Sequence, residues 1–308
     1  MTSARTSSHP LLERFVRGEV VVLDGAMGTE LERRGVETPL PLWSAEALLE
    51  APDVVRAIHE DYLRAGADVI TANTFRTTPR TMRRAGLPAE EADRITRLAV
   101  ELAREARAHA AVDRVTWVAG SVAPLEDCYR PDVAPPADVA ALEHAEQAAL
   151  LADAGADLLL VETMNSIAEA VEATRAAVAT GLPTLVSFIM RSDVEIWNAE
   201  RLEDAVRAVE PLGPAAVLVN CLPAETAERC LEVMARASRL PLGCYPNAGD
   251  PDLGLGTWRH DESRTPEWFA GHAKSWLARG ALLVGGCCGT SPAHIRALRE
   301  AVPPVLVE

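Results

Sequence analysis

The chain has 308 residues, is 48% hydrophobic and carries a formal charge of -15, which is enough apolar material for one large domain or two small ones. That acidity excludes nucleic acid and anionic membrane surfaces as partners. No apolar run approaches a membrane span, and Met1 to Pro10 lack the apolar core of a signal peptide, so a soluble, cytoplasmic protein is expected.

After a tail over about residues 1–9, a short helix over Leu11–Arg17 is placed to close the bottom of the fold. Short runs rich in Val, Ile and Leu then recur at Val20–Leu23, Val69–Ala72, Val115–Ala119, Leu158–Val161, Thr184–Phe188, Ala216–Val219, Leu242–Tyr245 and Ala281–Val284. Amphipathic helical stretches separate them: Pro52–Ala65, Ala89–His109, Asp138–Ala154, Ser166–Thr180, Arg201–Val209, Ala224–Ser238, Thr265–Arg279 and Pro292–Val302. Their starts at Ser, Thr, Asp or Pro follow helix entry rules. Eight such strand–helix pairs in one chain point to an α/β fold, a closed (β/α)8 TIM barrel forming a single domain over residues 1–308. Gly-Ala-Asp stands before two of the strands, at Gly66 and at Gly155, where glycine ends a helix and turns the chain. The longest irregular segments, Pro124–Ala137 and Pro246–Arg264, both follow strands and should rim the mouth.

Polar and special residues gather where the strands end, the face on which such barrels keep their active sites. Cys221 follows the sixth strand, and Cys287 and Cys288 follow the eighth. Only the seventh strand separates those two ends, so the three thiols can converge. Three thiolates make a soft-metal site for which zinc is the natural occupant, with a fourth tetrahedral position left for a substrate thiol. A vicinal disulfide, or packing of three small apolar groups, are the competing readings. Cys230 and Cys244 fall within a helix and a strand and suit core packing, while Cys128 lies in a rim loop where it can be exposed. His59, His109, His144, His272 and His294 fall on outer helices, His9 in the tail, and His260 alone in a mouth loop. A hydrolase metal site of imidazoles at strand ends is therefore not expected.

Asp24 and Glu162 end the first and fourth strands beside apolar runs. Desolvation of a carboxylate there is costly without a cation, and a substrate ammonium would supply one; bonding to loop amides is the structural alternative. Gly25, Ala26 and Gly28 can present backbone amides to a substrate carboxylate, or simply form a tight turn. Ammonium, carboxylate and thiol together describe homocysteine or cysteine.

The same residues resemble the homocysteine S-methyltransferase family. The matching stretches are Leu23-Asp24-Gly25-Ala26-Met27-Gly28-Thr29, Ala72-Asn73-Thr74-Phe75, Val161-Glu162-Thr163, Val219-Asn220-Cys221, Tyr245-Pro246-Asn247-Ala248-Gly249 and Gly285-Gly286-Cys287-Cys288-Gly289-Thr290, running from the first strand to the last. The resemblance implies a (β/α)8 barrel in which Cys221, Cys287 and Cys288 hold Zn2+ and homocysteine thiolate takes the fourth place. It also implies that Asp24 and Glu162 bind homocysteine, with Gly25, Ala26 and Asn220 among the substrate-binding residues, and that methionine is the product.

Family members differ in their methyl donor. No cobalamin or folate domain fits in this chain, and betaine enzymes carry an aromatic residue where Thr163 stands, a tyrosine at Arg76, and an extension beyond the last helix. Trp43 matches a family tryptophan able to face a cationic donor. A sulfonium, S-methylmethionine or S-adenosylmethionine, is thus the expected donor. Betaine, another thiol or selenol acceptor, or a zinc-holding barrel without turnover are the alternatives. The partners are small molecules, and the chain is expected to be a monomer or small homo-oligomer.

Overall fold

Backbones rich in β-branched residues and bounded by glycine turns form a parallel sheet in the computed structural model, which describes residues 9–252 and 257–303. The strands in chain order are β1 (Val21–Val22), β2 (Val69–Ala72), β3 (Trp117–Val122), β4 (Leu158–Met164), β5 (Thr184–Ile189), β6 (Ala216–Pro223), β7 (Leu242–Asn247), β8 (Gly249–Asp252), β9 (Thr257–His260) and β10 (Ala281–Val284). Eight of them form one sheet in the order β1, β10, β7, β6, β5, β4, β3, β2, every pair parallel. A parallel bridge between Leu23 and Val69, and a 2.7 Å bond from the Asp68 amide to the Val22 carbonyl, bring β1 against β2 and close the barrel. The fold expected from eight strand–helix pairs is the fold found.

The helices are α1 (Pro10–Val16), α2 (Gly28–Arg33), α3 (Glu46–Glu50), α4 (Pro52–Ala65), α5 (Pro79–Arg84), α6 (Glu91–Ala110), α7 (Ala137–Asp153), α8 (Ile167–Ala179), α9 (Leu202–Val209), α10 (Ala224–Ala237), α11 (Pro266–Ala278) and α12 (Pro292–Ala301). Side-chain oxygens of Thr78, Ser166 and Thr265 cap α5, α8 and α11, each accepting from the amide three residues on. The short α2, α3 and α5 carry too little periodicity to be visible in the sequence. Beneath the barrel, α1 sends Leu11 and Phe15 into the same apolar cluster as Val21, Val69, Trp117, Leu158 and Leu283, as the bottom-closing expectation held.

The repeated aspartates knit neighbouring strands. Asp68 accepts from the Val22 amide at 2.9 Å and from Arg299 at 2.8 Å, and Asp157 accepts from the Val118 amide at 2.7 Å. Two expectations need correction, and the tail over residues 1–8 lies outside the described residues. The segment after β7 is not wholly irregular, because β8 and β9 pair as an antiparallel hairpin, which satisfies backbone groups that a bare loop would leave to solvent. The third strand starts at Trp117 rather than Val115, which is 62% exposed, and runs on to Val122. The tail is described only from His9, which caps α1 by accepting from the Leu11 amide.

Inside the barrel, Gly243 allows β6, β7 and β10 to pack closely. A Cβ there would lie 2.7 Å from both the Cβ and the carbonyl oxygen of Leu283, and 2.9 Å from Leu218 Cδ2. Gly243→Ala is therefore expected to destabilise by about 1–3 kcal/mol through overpacking. Urea unfolding measures this, and an unchanged midpoint would contradict the packing assigned to that layer.

Candidate active site

β6 and β10 both neighbour β7, and their ends carry the three cysteines to one point. Cys221 Sγ lies 3.1 Å from Cys287 Sγ, Cys287 Sγ lies 3.9 Å from Cys288 Sγ, and all three sulfurs lie within 4.8 Å of one another. All are free thiols, so the vicinal disulfide is not formed. A bulge between Asn220 and Pro223 turns Cys221 to φ 51°, which re-aims its side chain. The Cys287 amide donates to the Pro246 carbonyl at 2.8 Å and fixes the Cys287-Cys288 loop on β7. Hydrogen bonds from the Cys221 and Cys288 thiols hold Cys287 well below the ordinary thiol range, while Cys221 is pushed up. Cys288 is pushed up as well, so Cys287 is the thiol on which negative charge is favoured, and as a donor set the three sulfurs suit a soft divalent ion.

The thiols line a cavity of about 530 Å³ at the mouth, together with Asp24, Gly25, Ala26, Trp43, Glu162 and Tyr245. Asp24 accepts from the Thr71 amide at 2.7 Å and the Thr71 hydroxyl at 3.1 Å. Glu162 accepts from the Ser121 hydroxyl and, at 3.4 Å, from the Tyr245 hydroxyl. No arginine, lysine or histidine among the described residues forms an ion pair with either acid. Desolvation is the main cause that carries Asp24 from 3.8 up to about 7 and Glu162 from 4.5 up to about 8. Two buried carboxylates with no cationic partner among the described residues would gain from a cation brought by a ligand.

Asn220 is fully buried and faces the wall rather than the cavity. Its Nδ2 donates to Thr163 Oγ1 at 2.8 Å and to Cys221 Sγ at 3.4 Å. Its Oδ1 accepts from the Ser187 hydroxyl at 2.7 Å and the Thr163 amide at 3.2 Å. Expected as a substrate contact, it is bonded in the structure to the residue after Glu162 and to Cys221, so it braces the one against the other. The bulges that create this need are invisible in a strand pattern.

The Ala26 amide donates to Thr290 Oγ1 at 3.2 Å, so of the turn amides expected to greet a carboxylate this one is already occupied. Trp43 lines the cavity and meets Phe75 edge-on at 5.8 Å. Its loop is pinned to the end of β2 by reciprocal 2.7 Å bonds between Ser44 and Asn73. Gly28 permits this, since a Cβ there would come within 2.4 Å of the Trp43 ring. Cys128 is buried in the cavity wall, not exposed, and burial pushes its thiol up to about 12. The segment 124–137 is latched inward by bonds from Asn165 Nδ2 to the Cys128 carbonyl and from Trp197 Nε1 to the Tyr129 carbonyl. Cys230 and Cys244 are core residues, as expected. No histidine lines the cavity among the described residues; the His260 side chain lies outside them.

A parallel barrel whose mouth joins a soft-ligand thiol cluster to two cation-seeking carboxylates defines an enzyme built to handle a sulfur-bearing amino acid. Sequence comparison narrows the class: the model of the homocysteine S-methyltransferase family matches residues 21–302. The chain belongs to that family, and it is a methyltransferase. It is 34% identical to a homocysteine S-methyltransferase of Escherichia coli, over 96% of this chain and 99% of that one. It is 29% identical to a selenocysteine methyltransferase of Astragalus bisulcatus, over 94% and 95% of the two chains. The crystal structure of the homocysteine methyltransferase MmuM from E. coli in its metallated form superimposes with a TM-score of 0.82 at 33% identity, covering 94% of this chain and 99% of that one.

The raised carboxyl groups have a consequence for stability. Between their ordinary values and about 7 and about 8, the folded chain binds more protons at Asp24 and Glu162 than the unfolded chain does. Ligand-free protein should therefore lose stability as pH rises through that window, by at most roughly 1.4 kcal/mol per pH unit for each group. Glu162→Gln should flatten the loss. Thermal denaturation from about pH 5 to about pH 8 tests this, and parallel profiles for the two proteins would contradict it.

Proposed function

We propose that this chain moves a methyl group from a sulfonium donor, S-methylmethionine or S-adenosylmethionine, to the sulfur of homocysteine, with zinc held by Cys221, Cys287 and Cys288. The observation that carries the proposal is the meeting, in one cavity, of three thiols within 4.8 Å and two carboxylates with no cationic partner among the described residues. A sulfur-only donor set of this size fits zinc, and the metallated state of the MmuM relative supports a metal at such a site. Zinc bound there would supply the Lewis acidity that keeps an entering thiol deprotonated at neutral pH.

The chain's own residues do the rest. Asp24 and Glu162 are assigned the ammonium of homocysteine, which restores their ionised forms. The substrate carboxylate goes to the Gly25–Ala26 turn, with the Gly25 amide beside the one that Thr290 occupies. Trp43, held against Phe75, faces the sulfonium as a π-surface. Tyr245 and Ser121 orient Glu162, and Asn220 positions Cys221. Transfer then forms one carbon–sulfur bond to homocysteine and breaks one in the donor. The bonding pair stays with the donor sulfur, which leaves as a neutral thioether, and the thiol proton has already gone to solvent. No general base is needed at the moment of transfer. Free cysteines and an acidic surface fit a reducing, cytoplasmic setting.

Incubating zinc-loaded protein with homocysteine and each donor separately should yield methionine from a sulfonium and none from betaine; no product from any sulfonium would overturn the reading. Selenocysteine belongs in the same assay as an alternative acceptor, since a soft cluster would also hold a selenol. Cys287→Ala should lose bound zinc and fall to background activity, and a zinc-replete, active variant would refute the ligand assignment. Asn220→Ala should weaken zinc binding by roughly ten- to a hundredfold, the usual effect of removing a ligand's support, as read by competition with a chromogenic chelator.

A further inference from the structure

Two opposite charges that line the cavity, Arg76 and Asp127, form no ion pair among the described residues, and Arg76 Nε is buried without a hydrogen bond. The Arg76 guanidinium sits 5.7 Å over the Phe75 ring, the same ring that meets Trp43, so its position is set although its charge is unmatched. Asp127 uses one oxygen to accept from the Tyr129 amide at 2.9 Å. The contrast is Arg130, which lines the same cavity but is held by Asp132 through two bonds of 2.8 and 2.7 Å.

Both groups lie on the loops that follow the two strands whose residues hold the inner carboxylates. β2 supplies Thr71 to Asp24, and Arg76 lies five residues further along that strand's loop. β3 supplies Ser121 to Glu162, and Asp127 lies six residues further along its loop.

We propose that Arg76 and Asp127 form the subsite for the head group of the methyl donor, and that this donor is a zwitterionic α-amino acid whose carboxylate pairs with Arg76 and whose ammonium faces Asp127. This rests on the methyl-transfer reading above and deepens it, by naming the residues that hold the amino-acid head which both candidate donors share. Guanidinium with carboxylate is a strong, geometrically specific pair. A carboxylate of the donor would also give the buried Nε of Arg76 the acceptor it lacks.

The test compares S-methylmethionine with trimethylsulfonium, which has the same charged sulfur and no head group. Each is titrated calorimetrically into the full-length wild-type, Arg76→Gln, Arg76→Lys and Asp127→Asn proteins. Wild type should bind S-methylmethionine more tightly than trimethylsulfonium by roughly ten- to a hundredfold. Arg76→Gln should erase that margin, Arg76→Lys should restore part of it, and Asp127→Asn should reduce it. A wild type without the margin, or a margin that survives Arg76→Gln, overturns the assignment. So does a loss of homocysteine affinity in Arg76→Gln larger than its loss of S-methylmethionine affinity, which would give Arg76 to the acceptor. Methionine formation separates the two readings. Arg76-dependent binding with no methionine leaves the subsite standing and defeats methyl transfer, whereas methionine formed by Arg76→Gln at an unchanged KM for S-methylmethionine does the reverse.

Discussion

One carboxamide holds the site in its working shape. β4 and β6 each bulge where they reach the mouth, and the residues at those bulges, Thr163 and Cys221, adopt φ values of 61° and 51°. Left-handed backbone in residues other than glycine costs on the order of 1–3 kcal/mol each and persists only where its surroundings enforce it. Asn220 supplies that enforcement by bonding both the amide and the hydroxyl of Thr163, and Ser187 of the intervening β5 completes the tie. Three strands thus share one side chain. Its effect is to fix the Cys221 thiol relative to the Glu162 carboxylate although the two groups are anchored on different strands.

Electrostatics then decide what enters. Burial raises Asp24 and Glu162, negative charge at Cys287 raises both further, Asp24 adds to the rise at Glu162, and no cation among the described residues pairs with either acid. Removing those protons from a desolvated cavity is costly, so burial favours the neutral forms of both acids until a cation arrives. A metal ion at the thiols and an ammonium at the acids would each find a group that gains by ionising beside it. The same buried acids that weaken the ligand-free fold at higher pH are therefore what make the site selective for cations. Cation binding turns a local instability into affinity.

Much of this was legible before any coordinates. The eight apolar runs gave the barrel because each is too short and too β-branched to be a helix, and closure of eight strands brings the sixth and eighth within one strand of each other. That argument alone predicted the meeting of Cys221 with Cys287 and Cys288. Asp24 and Glu162 were legible because a carboxylate beside a buried strand needs an explanation. The role of Asn220 was not, since its neighbourhood to Cys221 in sequence suggests a ligand contact, while its bonds reach across two strands to Thr163. Burial of Cys128 was also hidden. It depends on Asn165 and Trp197, distant residues that latch the 124–137 segment against the mouth. Val115 misled for a simpler reason: an apolar residue at a run's edge need not lie in the strand, and 62% exposure shows it does not.

The arrangement also separates chemistry from selectivity. The cysteines and inner acids sit on strand ends, where the barrel's hydrogen bonding gives little freedom, whereas Arg76 and Asp127 sit further out on loops that can vary without disturbing the sheet. A donor lacking an ammonium would leave Asp127 unmatched, and one lacking a carboxylate would leave the Arg76 Nε without an acceptor. Both omissions cost affinity because the groups are partly desolvated. Stacking one amino acid over another along β2 and β3 would set the two sulfur atoms facing across the methyl group, which is the alignment that an in-line transfer requires. Choice of donor would then be written in two loop residues, with the thiol cluster left unchanged.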